Sequence, residues 1–192
     1  MAIILASQSP RRRELLNQMG IRNFVIRPAQ GEENMELDLP PQELARKLAL
    51  GKACEIAVEA QRDDVVIAAD TIVTLEGKVL GKPKSEEEAF SMLRTLSGKS
   101  HVVYTGVAVI QNNRVVSDAE GTEVKFRDLS DQEIRAYIAT GEPMDKAGSY
   151  GIQGIGALLV EGIRGDYFNV MGLPVCKLGQ ILGSFGIKLL SY

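Results

Sequence analysis

The sequence predicts a protein of the α/β class, in which helices alternate with strands. The first observation is the continuous apolar run of residues 65–69, Val-Val-Ile-Ala-Ala, which is typical of a central strand covered on both faces. The second is a series of helix start signals, where Ser or Pro precedes an apolar periodicity of helical spacing. The third is a long hairpin pattern over residues 102–126. Together they favour a sheet with helices packed against it.

The composition predicts one globular domain over residues 1–192, with room for two lobes around a central cleft. The chain is 45% hydrophobic and 24% charged, so it can bury a substantial core. A net charge of −3 argues against a general binder of nucleic acid or of anionic membranes. Residues 1–30 hold five arginines and one glutamate, which gives +4 there and −7 in the rest of the chain. A local basic region of this kind suits a small anion.

Cysteine usage and the first residues bear on the cellular compartment. Cys54 and Cys176 are far apart and form no CxxC pair, which favours neither a disulfide scaffold nor a thiolate metal site. The apolar residues 2–6 are too short for a signal-peptide core, and no apolar run reaches the length of a membrane span. We therefore expect a reduced, cytoplasmic protein that does not enter a membrane.

The N-terminal segment carries a strong sign of anion binding. Residues 3–6 predict a short buried strand, Ser9 a helix N-cap, and Pro10 the first residue of a helix that Gly20 ends. The three arginines at 11–13 then lie at the positive end of the helix dipole, where each is disfavoured by about 0.3–1 kcal/mol. Free N–H groups, hydroxyls and guanidinium groups suit phosphate. The alternative is that these arginines point into solvent or pair with acidic residues elsewhere.

A second strand, a polar loop and a second helix come next. Residues 24–26 predict the strand, and the loop after it contains Glu32 and Glu33, which the composition of loops marks as solvated acids. A helix then opens at Pro40 and carries Leu44, Leu48 and Ile56 on one face. Periodicity alone leaves Lys52 exposed on that helix.

The apolar run at 65–69 ends in Asp70 and Thr71. In open α/β sheets, ligands bind at the carboxyl ends of strands, and a carboxylate held there is a candidate metal ligand or general base. The alternative is that Asp70 caps the following turn. Residues 71–75 and 79–80 then predict a hairpin around a Glu-Gly-Lys turn.

The segment at the end of that hairpin does not match a P-loop. Gly77 to Lys82 is one residue too short for a Walker A loop, and Pro83 stands where a hydroxyl should hold magnesium. Capping boxes at Ser85 and Ser130 predict two further helices, one on each side of the long hairpin.

Residues 142–156 predict a loop whose backbone approaches a ligand, because four glycines alternate there with polar residues. The glycine spacing is wrong for a dinucleotide fingerprint, and we expect a strand at 157–160 to follow. A Gly-Leu-Pro sequence at 172–174 then opens the last predicted helix.

Several chemistries lack the residues they need. The chain has one histidine, His101, which we expect to be structural or exposed, and it has no GxSxG elbow, so neither a hydrolase triad nor a zinc site is supported. What remains is a carboxylate with hydroxyl and carbonyl oxygens, the ligands that suit Mg²⁺ or Mn²⁺.

Four motifs together resemble the Maf family of nucleoside triphosphate pyrophosphatases over nearly the whole chain. They are residues 6–12 (ASQSPRR), 69–71 (ADT), 81–83 (GKP) and 142–154 (EPMDKAGSYGIQG). The resemblance implies a mixed, twisted α/β sheet with flanking helices, like that of inosine triphosphate pyrophosphatases, with the active site in a cleft at strand ends. It also implies a homodimer that hydrolyses a nucleoside triphosphate to monophosphate and pyrophosphate with a divalent cation, Mg²⁺ or Mn²⁺.

The resemblance further assigns substrate specificity to three positions. The branch that acts on dTTP and UTP has Arg after the Pro, Thr after the catalytic Asp, and Gln in the glycine loop; the branch that acts on 7-methyl-GTP tends to Trp, Gln and Glu. This chain has Arg11, Thr71 and Gln153, which match the dTTP/UTP branch. Gln153 both donates and accepts, which fits the carbonyl and N–H edge of a pyrimidine.

The remaining roles follow from the same resemblance. Asp70 is the expected catalytic base and, with Glu33, an expected metal ligand, although the acidic loop of the family is often Asp-Glu where this chain has Gly-Glu-Glu at 31–33. The residues expected to hold the triphosphate, with Arg11, are Ser7, Ser9, Arg12, Lys52 and Lys82. Two alternatives stay open: a regulator of septum formation that binds nucleotides without catalysis, and a house-cleaning enzyme for modified pyrimidine triphosphates.

Overall fold

The computed structural model describes residues 1–31 and 38–190, and its framework is a seven-stranded sheet. The strands β1 to β7 are Ile3–Leu5, Phe24–Ile26, Val65–Leu75, Lys78–Leu80, Ser100–Gln111, Arg114–Phe126 and Val160–Arg164. The helices α1 to α6 are Pro10–Gln18, Pro41–Ala57, Glu86–Leu96, Asp131–Ile138, Tyr167–Met171 and Val175–Ser184. Short 3-10 turns cover Glu142–Asp145, Ala147–Ser149 and Gly154–Leu159.

The sheet is mixed because only its first three strands in chain order run parallel. The strand order is β2-β1-β3-β5-β6-β7, with β4 paired to β3 beside this path. β1 is parallel to β2 and β3, and the pairs that join β3, β4, β5, β6 and β7 are antiparallel. Parallel neighbours need a crossover, which α1 and α2 supply, whereas the antiparallel pair β5–β6 needs only a tight turn. The predicted mixed sheet with flanking helices is confirmed.

Different helices cover the two faces of the sheet. On β3 the odd-numbered side chains from Val65 to Ala69 pack with leucines of α1 and α6. The two even-numbered side chains between them pack with alanines of α2. Because side chains alternate along a strand, Asp70 falls on the α2 face and Thr71 on the α1 face. The two neighbours in sequence therefore serve opposite sides of the sheet.

The expected position of Asp70 at the end of a strand is wrong. β3 continues without a break to Leu75, because β5 pairs with it along its length, from Val66 opposite Ile110 to Thr74 opposite Val102. The partner that ends here is β1, whose last pair joins Leu5 to Ile67. Beyond that point the same edge of β3 is uncovered until β4 pairs with Val73, so Asp70 lies beside the carboxyl end of β1.

The predicted helix starts are confirmed at their caps. Ser9 caps α1 by accepting from the Arg12 backbone N–H at 3.5 Å, and Ser85 caps α3 by accepting from the Glu88 N–H at 3.2 Å. At α4 the Ser130 hydroxyl and the Glu133 carboxylate bond each other's backbone N–H groups, which completes the capping box. Within residues 1–31 and 38–190, no helix combines the length and the apolar composition needed to cross a membrane.

The strand predicted at residues 157–160 is misplaced. Residues 157–159 belong to the 3-10 turns of Gly154–Leu159, and β7 begins only at Val160. The Glu142 carboxylate accepts from two N–H groups at the start of this segment and curls it before any strand can pair. The short helix α5 had no sequence signal beyond Asp166, which caps it by accepting from the Phe168 N–H at 2.8 Å.

Candidate active site

A cleft of about 540 Å³ opens along the edge of β3 that β1 leaves uncovered. Its walls come from the segment after β1, the first turn of α1, the middle of β3, the loop after β4 and the glycine-rich loop. A volume of this size is ordinary for a small-molecule site. The cleft brings together all of the sequence-predicted site residues in the described chain: Ser7, Ser9, Arg11, Arg12, Lys52, Asp70, Thr71, Lys82 and Gln153. The remaining one, Glu33, lies outside the described residues.

Asp70 and Lys52 meet at the floor of this cleft. The Asp70 residue is only 5% exposed, and the Lys52 ammonium forms an ion pair with its Oδ1 atom. The expectation from periodicity that Lys52 is solvated is therefore wrong. Lys52 is drawn in because α2 packs closely on the sheet. A Cβ on Gly106 of β5 would stand only 2.0 Å from the Ala45 carbonyl oxygen of α2. Lys52 is thereby turned along the sheet toward Asp70.

Arg12 is oriented by three hydrogen bonds from its guanidinium group. Nε donates to the Gly172 carbonyl at 2.7 Å, Nη1 to the Ser7 hydroxyl at 3.2 Å and Nη2 to the Thr71 hydroxyl at 3.0 Å. These acceptors are uncharged oxygens on three different segments, and together they fix the plane of the guanidinium. Arg12 thus points into the cleft, whereas Arg13 on the same turn is exposed.

The Thr71 hydroxyl extends this network along the same face of the sheet, from β3 to β5 and α5. It shares a hydrogen bond of 2.9 Å with the Thr105 hydroxyl of β5, and Thr105 donates to the Asn169 carbonyl of α5 at 2.9 Å. The Asn169 amide in turn donates to the Val103 carbonyl and to the Thr122 hydroxyl, each at 2.9 Å. Thr71 is therefore the link through which β3, β5 and α5 hold Arg12 in position.

The glycine-rich loop contributes cleft residues that the sequence did not single out, namely Asp145, Lys146 and Tyr150. Lys146 Nζ donates to the Glu142 carbonyl at 2.6 Å and to the Asp145 carboxylate at 2.7 Å. Burial alone would raise the pKa of Asp145, but Lys146 and Arg11 lower it on balance. Their residue types could have identified them in the sequence, since residues 142–156 contain one cation and one aromatic side chain among mostly small neighbours.

His101 supports the cleft from behind. Its Nε2 atom lies 2.7 Å from the Tyr150 hydroxyl, and both rings make edge contacts with Phe126. Burial lowers the pKa of His101 to about 4, so the imidazole is neutral at physiological pH. Of the two expectations for this histidine, structural or exposed, its 2% exposure supports the structural one.

The charges of the cleft favour a polyanion that brings a cation with it. Among the described residues, five basic side chains line the cleft against two acidic ones: Arg11, Arg12, Lys52, Lys82 and Lys146 against Asp70 and Asp145. Among residues 1–31 and 38–190 there is no group of three or more His, Cys, Asp or Glu that could hold a metal by itself. Mg²⁺ is commonly held by one or two carboxylates together with substrate phosphates and water. The donors present therefore fit a cation that arrives with a phosphate ligand.

Comparisons with known proteins match nearly the whole chain. A family model described as "Maf-like protein" matches residues 2–185. A Moorella thermoacetica protein named dTTP/UTP pyrophosphatase is 52% identical over 188 residues, which cover 96% of this chain and 95% of that protein. A Pyrococcus furiosus protein of the same name is 53% identical over 180 residues, which cover 94% of this chain and 93% of that one.

Two solved structures align at lower similarity. A HAM1 protein from Coxiella burnetii aligns with a TM-score of 0.46 and 18% identity, covering 66% of this chain and 73% of that one. A nucleoside-triphosphatase (dITP/XTP pyrophosphatase) from Mycobacterium abscessus aligns with a TM-score of 0.46 and 14% identity, covering 96% and 94% of the two chains.

Proposed function

This chain belongs to the Maf family, and from that premise we propose that it hydrolyses dTTP and UTP to the nucleoside monophosphate and pyrophosphate. The observation that supports the proposal most is the cleft itself, where one buried carboxylate lies among cations and a helix N-terminus. Relatives that carry the name dTTP/UTP pyrophosphatase are about half identical to the chain over most of its length.

The triphosphate is bound by groups of three kinds. The first turn of α1 offers backbone N–H groups beside the Ser7 and Ser9 hydroxyls, as anion sites at helix N-termini do. The Arg12 guanidinium presents a fixed fork that suits phosphate oxygens. Lys52 and Lys82 add positive charge that stabilises the pyrophosphate as it leaves.

Asp70 is the proposed general base. It takes a proton from a water molecule, whose oxygen forms a bond to the α-phosphorus. The bond between the α-phosphorus and the oxygen that bridges to the β-phosphate breaks, and pyrophosphate leaves with that electron pair. General-base action of this kind is typically worth ~10²–10⁴ in rate. Burial at 5% exposure and the ion pair with Lys52 hold the carboxylate in one place for this transfer.

A divalent cation, Mg²⁺ or Mn²⁺, is the proposed cofactor. Asp70 would hold it together with oxygens of the bound triphosphate, and Glu33, which lies outside the described residues, is the second proposed ligand. When bound, such a cation neutralises phosphate charge and polarises the phosphoryl group.

Three cleft residues are proposed to select the nucleotide, namely Arg11, Thr71 and Gln153. Gln153 reads the pyrimidine edge, because an amide can both donate and accept. Thr71 acts through Arg12, since its hydroxyl accepts from that guanidinium at 3.0 Å. Modified pyrimidine triphosphates remain within the proposed substrate class, because a pocket commonly tolerates one added methyl group at a cost of only ~10–200-fold.

We further propose that one domain spanning residues 1–192 works as a homodimer in the cytoplasm. Apolar side chains near the edge strand β7 support a self-contact, since Leu158 is 68% exposed and Ile163 is 38% exposed. Sedimentation equilibrium of the full chain tests this, and a monomer at all concentrations would contradict it.

The deciding experiment measures pyrophosphate release from dTTP, UTP, CTP, GTP and 7-methyl-GTP with Mg²⁺ or Mn²⁺, in the wild type and in Asp70→Asn. We expect a preference for dTTP and UTP and a loss of ~10²–10⁴ in kcat for Asp70→Asn. The matched control is Asp64→Asn. Asp64 is also buried, with 8% of the residue exposed, but its carboxylate accepts from the Ala2 and Gln61 N–H groups outside the cleft. It should lower the melting temperature and leave kcat unchanged.

Two outcomes would overturn the proposal. Near wild-type turnover in a folded Asp70→Asn protein would remove the assigned base, and a preference for 7-methyl-GTP would reverse the assigned branch. Binding of dTTP without any release of pyrophosphate would support the regulator in place of the enzyme.

A further inference from the structure

The segment that carries Gln153 lies between 3-10 turns and belongs to no strand or long helix. Gln153 is extended, with φ −88° and ψ 153°, and the next residue, Gly154, has φ +77°. The backbone therefore turns into the 3-10 segment directly after the residue that lines the cleft. A Gln amide discriminates between base edges only where its backbone holds it within hydrogen-bond distance of the base, so selectivity depends on how this segment is held. Something outside the segment must fix it.

The Glu142 carboxylate holds the C-terminal end of this segment. Its Oε2 atom accepts from the Ile155 N–H at 3.0 Å, and its Oε1 atom accepts from the Gly156 N–H at 2.9 Å. Burial would raise the pKa of Glu142, but these backbone N–H groups and the Tyr137 hydroxyl lower it on balance. The carboxylate is therefore ionised at neutral pH, and its bonds to the loop are of the stronger, charge-assisted kind.

The Tyr137 hydroxyl holds the N-terminal end of the segment. It accepts from the Gly151 N–H at 3.3 Å and donates to Glu142 Oε1 at 2.9 Å, so that one hydroxyl joins the loop to the carboxylate. The Tyr137 residue is 3% exposed and belongs to the core cluster under α4. Burial, followed by the neighbouring Glu142 charge, raises the pKa of Tyr137, which keeps the donating proton in place.

The segment closes tightly around these two groups. A Cβ on Gly156 would stand 2.2 Å from the Gly151 carbonyl oxygen and 2.6 Å from the Tyr137 hydroxyl. A Cβ on Gly154 would stand 2.7 Å from Glu142 Oε2. A side chain at position 154 or 156 would not fit, because Tyr137 and Glu142 occupy the inside of the loop.

We propose that Tyr137 and Glu142 are positioning residues for base selection, which clamp residues 151–156 at both ends and thereby fix Gln153 in the cleft. Neither Tyr137 nor Glu142 is among the described residues that line the cleft, so both act on the nucleotide through Gln153. The inference deepens the proposed function and rests on it, because it assumes a pyrimidine nucleotide at Gln153. It assigns part of the substrate selectivity to α4 and the turn after it.

The test compares UTP with CTP in Tyr137→Phe and in Glu142→Gln. Phe keeps the core ring without the hydroxyl, and Gln keeps the size of Glu142 while replacing one acceptor oxygen by a donor. The UTP/CTP ratio of kcat/KM should fall by roughly 3- to 10-fold, the worth of a net hydrogen bond of about 0.5–1.5 kcal/mol. In a Gln153→Ala background, Tyr137→Phe should change the ratio no further, because coupled residues are not additive.

The matched control is Glu133→Gln on the same helix. Glu133 belongs to the α4 capping box and pairs with Arg127, so this change also weakens α4 but leaves the clamp intact. It should lower the melting temperature and keep the UTP/CTP ratio. An unchanged ratio in both clamp variants, or an equal change in Glu133→Gln, would overturn the inference.

A binding measurement separates failure of this inference from failure of the proposed function. The ratio of Kd for non-hydrolysable α,β-methylene analogues of UTP and CTP should shift in the clamp variants as the kinetic ratio does. If the wild type turns over no nucleotide, the proposed function is wrong, and the Kd ratio still decides the clamp. A Kd ratio equal to that of the wild type in both variants would overturn the clamp.

Discussion

The two walls of the cleft are held in different ways. The strand wall, formed by Ser7, Arg12, Lys52 and Asp70, is built on β1, α1, α2 and β3, whose own backbones are regular. The loop wall, formed by residues 150–156, is held by side chains that bond its backbone N–H groups. The difference teaches that regular elements set the backbone of the strand wall, on which contacts such as those of Arg12 orient the side chains. The backbone of the loop wall itself depends on side chains from outside it.

After Asp70→Asn, the largest effect is expected from Arg12→Lys on the strand wall. Lysine cannot reproduce three bonds to Gly172, Ser7 and Thr71 and still present two donors to phosphate. The loss of charge-assisted bonds worth about 1.5–3 kcal/mol should lower kcat/KM by roughly 10- to 150-fold, for UTP and CTP alike. Steady-state kinetics provide the measurement.

The control for that prediction is Arg13→Lys, because Arg13 is exposed on the same helical turn. It should leave kcat/KM unchanged. A change of the UTP/CTP ratio in Arg12→Lys would break the division between the two walls, since it would make the strand wall a selector of the base.

A smaller effect is expected from Gly156→Ala on the loop wall. The added methyl group would meet the Gly151 carbonyl oxygen at 2.2 Å, and backbone cannot move aside as a flexible side chain can. Overpacking of this kind should lower the free energy of unfolding by about 1–3 kcal/mol, as measured by urea denaturation. The control is Gly179→Ala in α6, where no described atom lies within 4 Å of the new methyl group. It should stabilise the protein by roughly 0.5–1 kcal/mol, and equal destabilisation of both variants would contradict the packing argument.

A further effect on stability is a pH dependence that originates behind the loop wall. Burial lowers the pKa of His101 from 6.5 to about 4, so the unfolded chain binds a proton there that the folded chain does not. The free energy of unfolding should therefore fall as the pH falls from about 6.5 toward 4, with a slope of at most about 1.4 kcal/mol per pH unit. His101→Gln, which retains a polar group beside the Tyr150 hydroxyl, should flatten the profile in this window.

Glu133→Gln is the control for the pH experiment. Hydrogen bonds from Ser130 and the nearby Arg127 lower the pKa of Glu133, so its contribution is lost only as the pH falls below 4.5. Its removal should leave the slope between pH 6.5 and 4.5 unchanged. A flat wild-type profile across that window would contradict the buried, neutral state of His101.

The sequence predicted most of the strand wall because its signals are local. Ser9 and Pro10 mark the start of α1 through the bonds of a single turn, and the alternation along β3 follows from the geometry of any strand. The resemblance to the family then predicted Arg12, Lys52 and Asp70 as site residues, and the structure places all three at one cleft. Periodicity by itself left Lys52 in solvent, and it ended β3 too early.

By itself the sequence determined the class of fold, the helix starts, the long hairpin and the family, all of which rest on neighbouring residues. Only the tertiary structure decided that Lys52 meets Asp70, that Thr71 holds Arg12, and that Tyr137 and Glu142 close the loop. These contacts join different elements or opposite ends of a loop, so no local propensity contains them. They exist because the packing of α2 on the sheet and of α4 against the loop brings the groups within bonding distance.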